Sequence, residues 1–265
     1  MEFDRSRSTT EAVVLMAGRG SRLRFADASL PKPLVPIRGR PLISYTLDAM
    51  VEVGITTLHA VVGCESELLL EGLEPLMPPG IRLHAIHNPE WQKQNGVSLL
   101  CAAPSLEAPF LLMMGDHLFA REALQVFVRQ VHADELSLAI DRKIDSIYDL
   151  DDAMKVETRG ERVIAIGKEL QTYDAIDTGI FVCPLEIFGY LEKARENGDC
   201  SLAAGVRLMA GENKVRAINI GNAWWQDVDT PEMLACAEAH LQMRVGSHGP
   251  AAMSARLYPG DSSEK

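Results

Sequence analysis

Over roughly its first 140 residues the chain alternates short apolar runs with segments of helical period, and this alternation limits the fold more than any other feature. Residues 12–16 and 110–114 are apolar runs of strand length, the pattern of strands covered on both faces, and 58–62, 81–86 and 136–140 are also strand-like. Between them, Leu42, Tyr45, Leu47, Met50 and Val51 follow Pro41 at helical spacing, and Gly54 can end that helix. Segments 66–73, 98–103 and 123–131 also read as helices. Strand followed by helix, repeated, predicts an α/β fold: a mostly parallel open sheet flanked by helices.

The pattern changes after about residue 150. Segments 154–157 and 162–166 flank the hairpin-like turn Thr158-Arg159-Gly160-Glu161. A strand-like run at 180–183, helices near 185–194 and 202–209, a strand at 215–220 and a helix at 232–241 complete the chain. This half is expected to finish the sheet and to add a smaller antiparallel part over one face. One domain over residues 11–245 is expected, with halves at 11–150 and 151–245 and no repeat or long linker. Residues 1–10 and 246–265, polar or rich in Gly, Ser, Pro and Ala, read as disordered ends.

Composition removes several functions. With 26 Lys and Arg against 37 Asp and Glu, the net charge is −11, so the basic footprint of a nucleic-acid binder is missing. No apolar run approaches the ~18 residues of a membrane span, and the start of the chain has no apolar signal core. The 5 cysteines are scattered and form no CxxC pair, which fits reduced thiols in the cytoplasm.

The first strand runs into Leu15-Met16-Ala17-Gly18-Arg19-Gly20-Ser21-Arg22-Leu23. Gly18 and Gly20 let the backbone turn and offer N–H groups to a phosphate. No Gly-Lys-Ser/Thr follows, as a Walker A loop requires, and Leu23 stands where a dinucleotide fingerprint needs its third glycine. Pro31-Lys32-Pro33-Leu34 then holds a lysine in a restricted backbone. N–H donors, a forked arginine and a stiffly held lysine together suit a polyphosphate. Two carboxylates follow. Asp116 lies just past the probable strand 110–114, where open α/β sheets bind ligands. Asp229, with Asp227 as competitor, lies in Trp224-Trp225-Gln226-Asp227-Val228-Asp229-Thr230-Pro231. In a strand, residues 227 and 229 share a face, so periodicity does not choose between them. His84 and His87 would point to opposite faces of their strand and do not form a zinc pair.

LxAGxGxR followed by PKxL resembles the signature of the nucleotidyltransferases that join a nucleoside triphosphate to a sugar phosphate or similar alcohol phosphate. The resemblance extends from about residue 11 to about residue 243 and implies their Rossmann-like fold. It implies that residues 11–150 bind nucleotide and 151–245 bind acceptor. Leu15, Ala17, Gly18, Gly20 and Arg22 would hold the nucleotide, Lys32 would act on the α-phosphate, and Asp116 and Asp229 would hold a catalytic Mg²⁺, which prefers one or two carboxylates plus phosphates and water. Arg22, Lys32 and Lys168 are the implied catalytic residues.

Asn88-Pro89-Glu90-Trp91 and Asn95-Gly96-Val97-Ser98-Leu99 resemble the CTP-using branch, which makes Asn95, Gly96 and Ser98 nucleotide contacts. The same residues also suit a capped helix start. Gly167-Lys168 and Tyr173-Asp174-Ala175-Ile176-Asp177-Thr178-Gly179-Ile180-Phe181 are similar to the inositol-1-phosphate cytidylyltransferases found as one half of a bifunctional enzyme. Lys155, Lys168, Asp177 and Gly179 would then bind the acceptor, and Lys155 with Asp177 can equally form an ion pair. The chain is expected to be a stand-alone enzyme taking CTP and a small alcohol phosphate. Phosphocholine, aminoethylphosphonate, a UTP- or dTTP-dependent sugar 1-phosphate reaction and a silent nucleotide-binding subunit are the alternatives, and homo-oligomerisation is left open. His117 is not needed as a base, because the acceptor phosphate is already largely a dianion near pH 7.

Overall fold

The computed structural model describes residues 9–23, 30–132 and 134–247. Its first part contains β1 (Glu11–Leu15), β2 (Pro36–Ile37), β3 (Arg40–Pro41), α1 (Leu42–Glu52), β4 (Thr57–Val62), α2 (Ser66–Leu73), β5 (Arg82–His87) and α3 (Asn95–Ala102). β6 (Phe110–Met114), β7 (His117–Phe119), α4 (Arg121–Val128) and β8 (Leu136–Asp141) follow. The second part contains β9 (Lys155–Arg159), β10 (Arg162–Gly167), β11 (Ala175–Cys183), α5 (Ile187–Ala194), α6 (Leu202–Gly211), β12 (Val215–Asn219), β13 (Trp225–Asp227) and α7 (Pro231–Ser247). Most of the expected disordered ends lie outside the described residues. Residues 246–247, however, belong to α7, and Thr10 accepts backbone hydrogen bonds from Thr56 and Thr57.

The main sheet has nine strands in the order β5-β4-β1-β6-β11-β8-β12-β10-β9. Strands β5, β4, β1 and β6 are parallel, as are β8 and β12. β11 runs antiparallel to both β6 and β8. The apolar strand runs bury both faces of the sheet. Val13 packs with Leu99, Ile187 and Val206 on one side. Its neighbours Ala12 and Val14 pack with Ile43, Leu47, Leu69 and Phe127 on the other. Helices therefore cover both faces, α3, α5 and α6 opposite α1, α2 and α4.

The antiparallel part is present, but it is not laid over a face. β10 pairs with β12, and β9 pairs with β10 and returns to β11 through Ala175↔Val156 and Ile176↔Lys155. Strands β11, β8, β12, β10 and β9 thus close a ring at one side of the sheet. β11 is also longer than the apolar run 180–183, because Ala175, Ile176 and Asp177 already pair with β9 and β8. Its register with β8 shifts between Asp177 and Phe181, around Gly179 at φ +78°. A small β7–β13 ladder pairs His117 with Asp227 and Phe119 with Trp225. A third cluster, with Leu23, Ile37, Leu42, Leu118, Val228 and Leu234, packs this ladder against α1, α7 and the segment after β1.

Phe181 is 1% exposed in the strand that joins the parallel sheet to the ring. Phe181→Ala is expected to lower unfolding stability by about 3–5 kcal/mol, read from the urea midpoint and slope. A loss below about 1 kcal/mol would show that this junction repacks freely.

Candidate active site

The chain leaves β1 at the C-terminal edge of the parallel strands, where neighbouring strand ends grip it. The Leu15 carbonyl accepts from Gly115 N at 3.0 Å, and the Ala17 carbonyl from Cys64 N at 3.0 Å. Gly20 has φ +60°, and a Cβ there would lie 2.7 Å from Lys32 Cβ, so glycine is required on both counts. A Cβ at Gly18 would meet nothing within 4 Å. Pro31 and Pro33 flank Lys32, which opens a short 3-10 turn. Its side chain is only 7% exposed.

That lysine lies at the centre of a charge cluster. Its Nζ donates to Asp116 Oδ2 at 2.9 Å and also to Asp229 Oδ1. Arg22 donates through Nη2 to Asp229 Oδ2 at 2.5 Å and through Nη1 to Asp152 Oδ2 at 3.3 Å. Lys168 Nζ donates to Asp152 Oδ1. These contacts border a cleft of about 250 Å³ lined by Gly18, Gly20, Arg22, Lys32, Asp116 and Asp229. Burial opposes the charge of Lys32, but Asp116 and Asp229 outweigh it and raise its pKa. Burial would likewise raise Asp116, yet Lys32 and His117 hold it at about 2. Asp229 and then Asp152 raise the pKa of Arg22, burial notwithstanding. Arg22, Lys32 and Asp116 therefore stay ionised at neutral pH.

The backbone delivers the two aspartates together. Val228 N donates to the Asp116 carbonyl at 2.9 Å, and Asp229 N donates to Met233 Sδ at 3.3 Å. Asp229, rather than Asp227, meets Lys32 and Arg22. Burial chiefly raises the pKa of Asp227, which lies opposite His117 in the β7–β13 ladder. Asp116 and Asp229 direct oxygens at one common point, and a cationic group, the Lys32 ammonium, already lies there. This donor set fits Mg²⁺, whose remaining ligands would be phosphate and water. Among the described residues, no three His, Cys, Asp or Glu side chains cluster to hold a metal unaided.

On the other side of the cleft, Lys155 forms no ion pair with Asp177. Its buried Nζ donates to the carbonyls of Asp151 at 3.3 Å and Lys168 at 2.8 Å. It therefore holds the backbone of Lys168, and the expected ion pair with Asp177 is replaced by these two carbonyl contacts. Asp177 Oδ1 accepts from Gly179 N at 2.7 Å, and burial raises its pKa to about 6. A Cβ on Gly179 would lie 2.4 Å from His117 Nδ1, so this glycine makes room for the imidazole. His117 in turn donates from Nδ1 to the Thr178 carbonyl at 2.9 Å.

The start of α3 packs against α6. Asn95 Oδ1 accepts from Leu202 N at 2.9 Å, at the N-terminus of α6, and Asn95 itself is exposed. A Cβ on Gly96 would lie 2.6 Å from the Cys200 carbonyl. Ser98 is buried, and its Oγ accepts from Asn88 Nδ2 at 2.9 Å. None of the three lines the cleft around Lys32. His84 lies on the neighbouring-strand His59, Nδ1 to Nδ1 3.0 Å, and His87 is exposed. Asp152, absent from the sequence expectations, is the carboxylate that joins the two halves of the site.

Residues 12–145 match the model described as the MobA-like NTP transferase domain, and the chain belongs to that family. It is an enzyme of the nucleotidyltransferase class. It is 34% identical over 237 residues to the bifunctional IPC transferase and DIPP synthase of Thermococcus kodakarensis, covering 87% of this chain and 50% of that protein. The chain spans about half the length of such bifunctional relatives. It is 28% identical to the UTP–glucose-1-phosphate uridylyltransferase AglF of Haloferax volcanii, covering 88% of this chain and 96% of that protein. The structure of the inositol-1-phosphate CTP transferase from T. maritima matches with a TM-score of 0.80 at 26% identity, over 92% of this chain and 99% of that one. Among the described residues, no helix is long and apolar enough to cross a membrane.

A carboxyl that protonates more readily when folded contributes stability at low pH and loses it as pH rises through its folded pKa. Asp177, raised to about 6 by burial, therefore weakens the fold above that pH. Asp177→Asn can keep the bond from Gly179 N and is expected to raise stability at pH 8 by about 1–2 kcal/mol. The gain should disappear by pH 4, in denaturant titrations at both pH values. An equal gain at both would remove ionisation as its cause.

Proposed function

We propose that the chain is a Mg²⁺-dependent cytidylyltransferase that converts CTP and inositol 1-phosphate to the CDP-alcohol and pyrophosphate. The observation that carries the reading is the convergence of Arg22, Lys32, Asp116 and Asp229 on one cleft, with Lys168 joined to it through Asp152. The match to an inositol-1-phosphate CTP transferase over nearly the whole chain supports the choice of substrates.

In this mechanism an oxygen of the acceptor phosphate attacks the α-phosphorus of CTP in line. A new P–O bond forms as the bond to pyrophosphate breaks. The work is positioning and charge stabilisation. The loop from Leu15 through Ala17, Gly18 and Gly20 to Arg22 holds the β- and γ-phosphates. Lys32 stabilises charge at the α-phosphate and the attacking oxygen. Lys168 holds the acceptor phosphate, and Lys155 fixes its backbone. Asp116 and Asp229 would hold Mg²⁺, which when bound supplies positive charge to the phosphate oxygens. Asp177 and Gly179 border the acceptor side, while Asn95, Gly96 and Ser98 shape the nucleotide side through helix packing. No general base is required, and His117 orients the β11 bulge.

The near-complete coverage of the uridylyltransferase AglF favours UTP with a sugar 1-phosphate as the second reading. Pyrophosphate release separates the two, crossing CTP, UTP, dTTP, ATP and GTP with inositol 1-phosphate, phosphocholine, 2-aminoethylphosphonate and glucose 1-phosphate. Release with CTP and inositol 1-phosphate, abolished by a chelator and restored by Mg²⁺, is the expected result. Release only with UTP and glucose 1-phosphate would replace the first reading by the second. Lys32→Ala, Asp116→Ala and Asp229→Ala are each expected to lower kcat by about 10²-fold or more. Near-normal turnover would remove that residue from the mechanism.

A further inference from the structure

Asp152 stands between two cations that the mechanism assigns to different substrates. One carboxylate oxygen accepts from Arg22 Nη1 at 3.3 Å and the other from Lys168 Nζ. The arrangement is held from behind. The buried Lys155 Nζ binds the carbonyl of Asp151, next to Asp152, and the carbonyl of Lys168 itself. Asp152 N also donates to Asp149 Oδ1 at 3.3 Å. The charged ends remain open to solvent, with side chains 58% exposed for Arg22, 39% for Asp152 and 45% for Lys168. Such pairs are weak enough to exchange partners. A carboxylate and a phosphate present the same kind of oxygen acceptors to arginine and lysine.

From this geometry we infer that Asp152 is a built-in competitor for substrate phosphate: its carboxylate bridges Arg22 and Lys168, and phosphate groups bind these cations by displacing it. The inference rests on the proposed phosphate roles of Arg22 and Lys168, but not on which nucleotide or acceptor is used. Asp152 acts through those two cations and is a positioning residue. Its substitution should change substrate affinity more than turnover.

The test is calorimetric titration of the full chain with inorganic pyrophosphate and, separately, inorganic phosphate, in metal-free buffer. Asp152→Asn is expected to tighten binding by about three- to tenfold, the scale set by a pair of exposed ion pairs. Asp152→Glu should restore weaker binding. Asp151→Asn removes the same charge one residue away and should change binding by less than about twofold. The gain in phosphate binding should vanish in the Lys168→Ala background. Unchanged or weaker binding by Asp152→Asn would overturn the inference, and an equal gain from Asp151→Asn would reduce it to general charge repulsion. If neither the wild type nor any variant binds either anion, the reading of the cleft as a phosphate site fails and the inference fails with it. Asp152→Ser, with its melting temperature checked, replaces Asp152→Asn should that variant not fold. Once the substrate pair is known, the same substitution should lower KM with kcat held within about threefold. A fall in kcat at unchanged KM would overturn the inference.

Discussion

A burial-driven requirement for opposite charges organises the site. A lysine as buried as Lys32 cannot remain charged without carboxylates against it. Asp116 and Asp229 supply them, and Asp229 extends the sequence of alternating charges. It also accepts from Arg22, which reaches Asp152 and through it Lys168. The alternation runs from Asp116 to Lys168, just past β10. Removing one member would leave its neighbours with uncompensated charge, most expensively at the buried Lys32.

The fold meets this requirement with close backbone approaches. Gly20 lets the loop after β1 lie against Lys32, and Gly179 lets the β11 bulge lie against His117. A Cβ on Gly115 would lie 2.4 Å from Met16 Cγ, so the glycine before Asp116 lets the ends of β1 and β6 meet. The β7–β13 ladder and the bond from Val228 N to the Asp116 carbonyl bring together residues more than a hundred positions apart. Asp141 anchors the same segment by accepting from Trp225 Nε1 at 2.9 Å and from Lys143 Nζ at 2.7 Å. The position of Asp229 therefore depends on the tertiary structure far more than on the helix that follows it.

What could be read from the chain follows from how local each signal is. The parallel half was legible because β1 and β6 are continuous apolar runs and strand-like segments alternate with helical ones, and the loop with Lys32 because prolines and glycines mark it. Asp116 was legible as the residue just past a strand. The closure of β9 onto β11 was not, since it depends on a long-range pairing whose first residues on β11 are interrupted by polar groups. Asn95, Gly96 and Ser98 show a different difficulty. A base contact and a helix junction call for the same small polar residues, and the junction contacts with Leu202, Cys200 and Asn88 are set by the tertiary fold alone. Asp152 lies in a stretch without periodicity, so nothing in its neighbours marked it.

The two sides of the cleft are built on different principles, and this bears on where substrate preference can change. On the nucleotide side, Lys32 is enclosed by prolines and two carboxylates, and almost any change there disturbs the buried charge. Away from Lys32, Asp152 and Lys168 are solvent-exposed, and the buried ammonium of Lys155 fixes only the backbone that carries them. Side chains in residues 149–153 and 168–173 can therefore vary without exposing an unpaired charge in the core. Divergence in acceptor should concentrate in these segments, with the Lys32–Asp116–Asp229 arrangement retained, because only there is a change of partner compatible with the stability of the site.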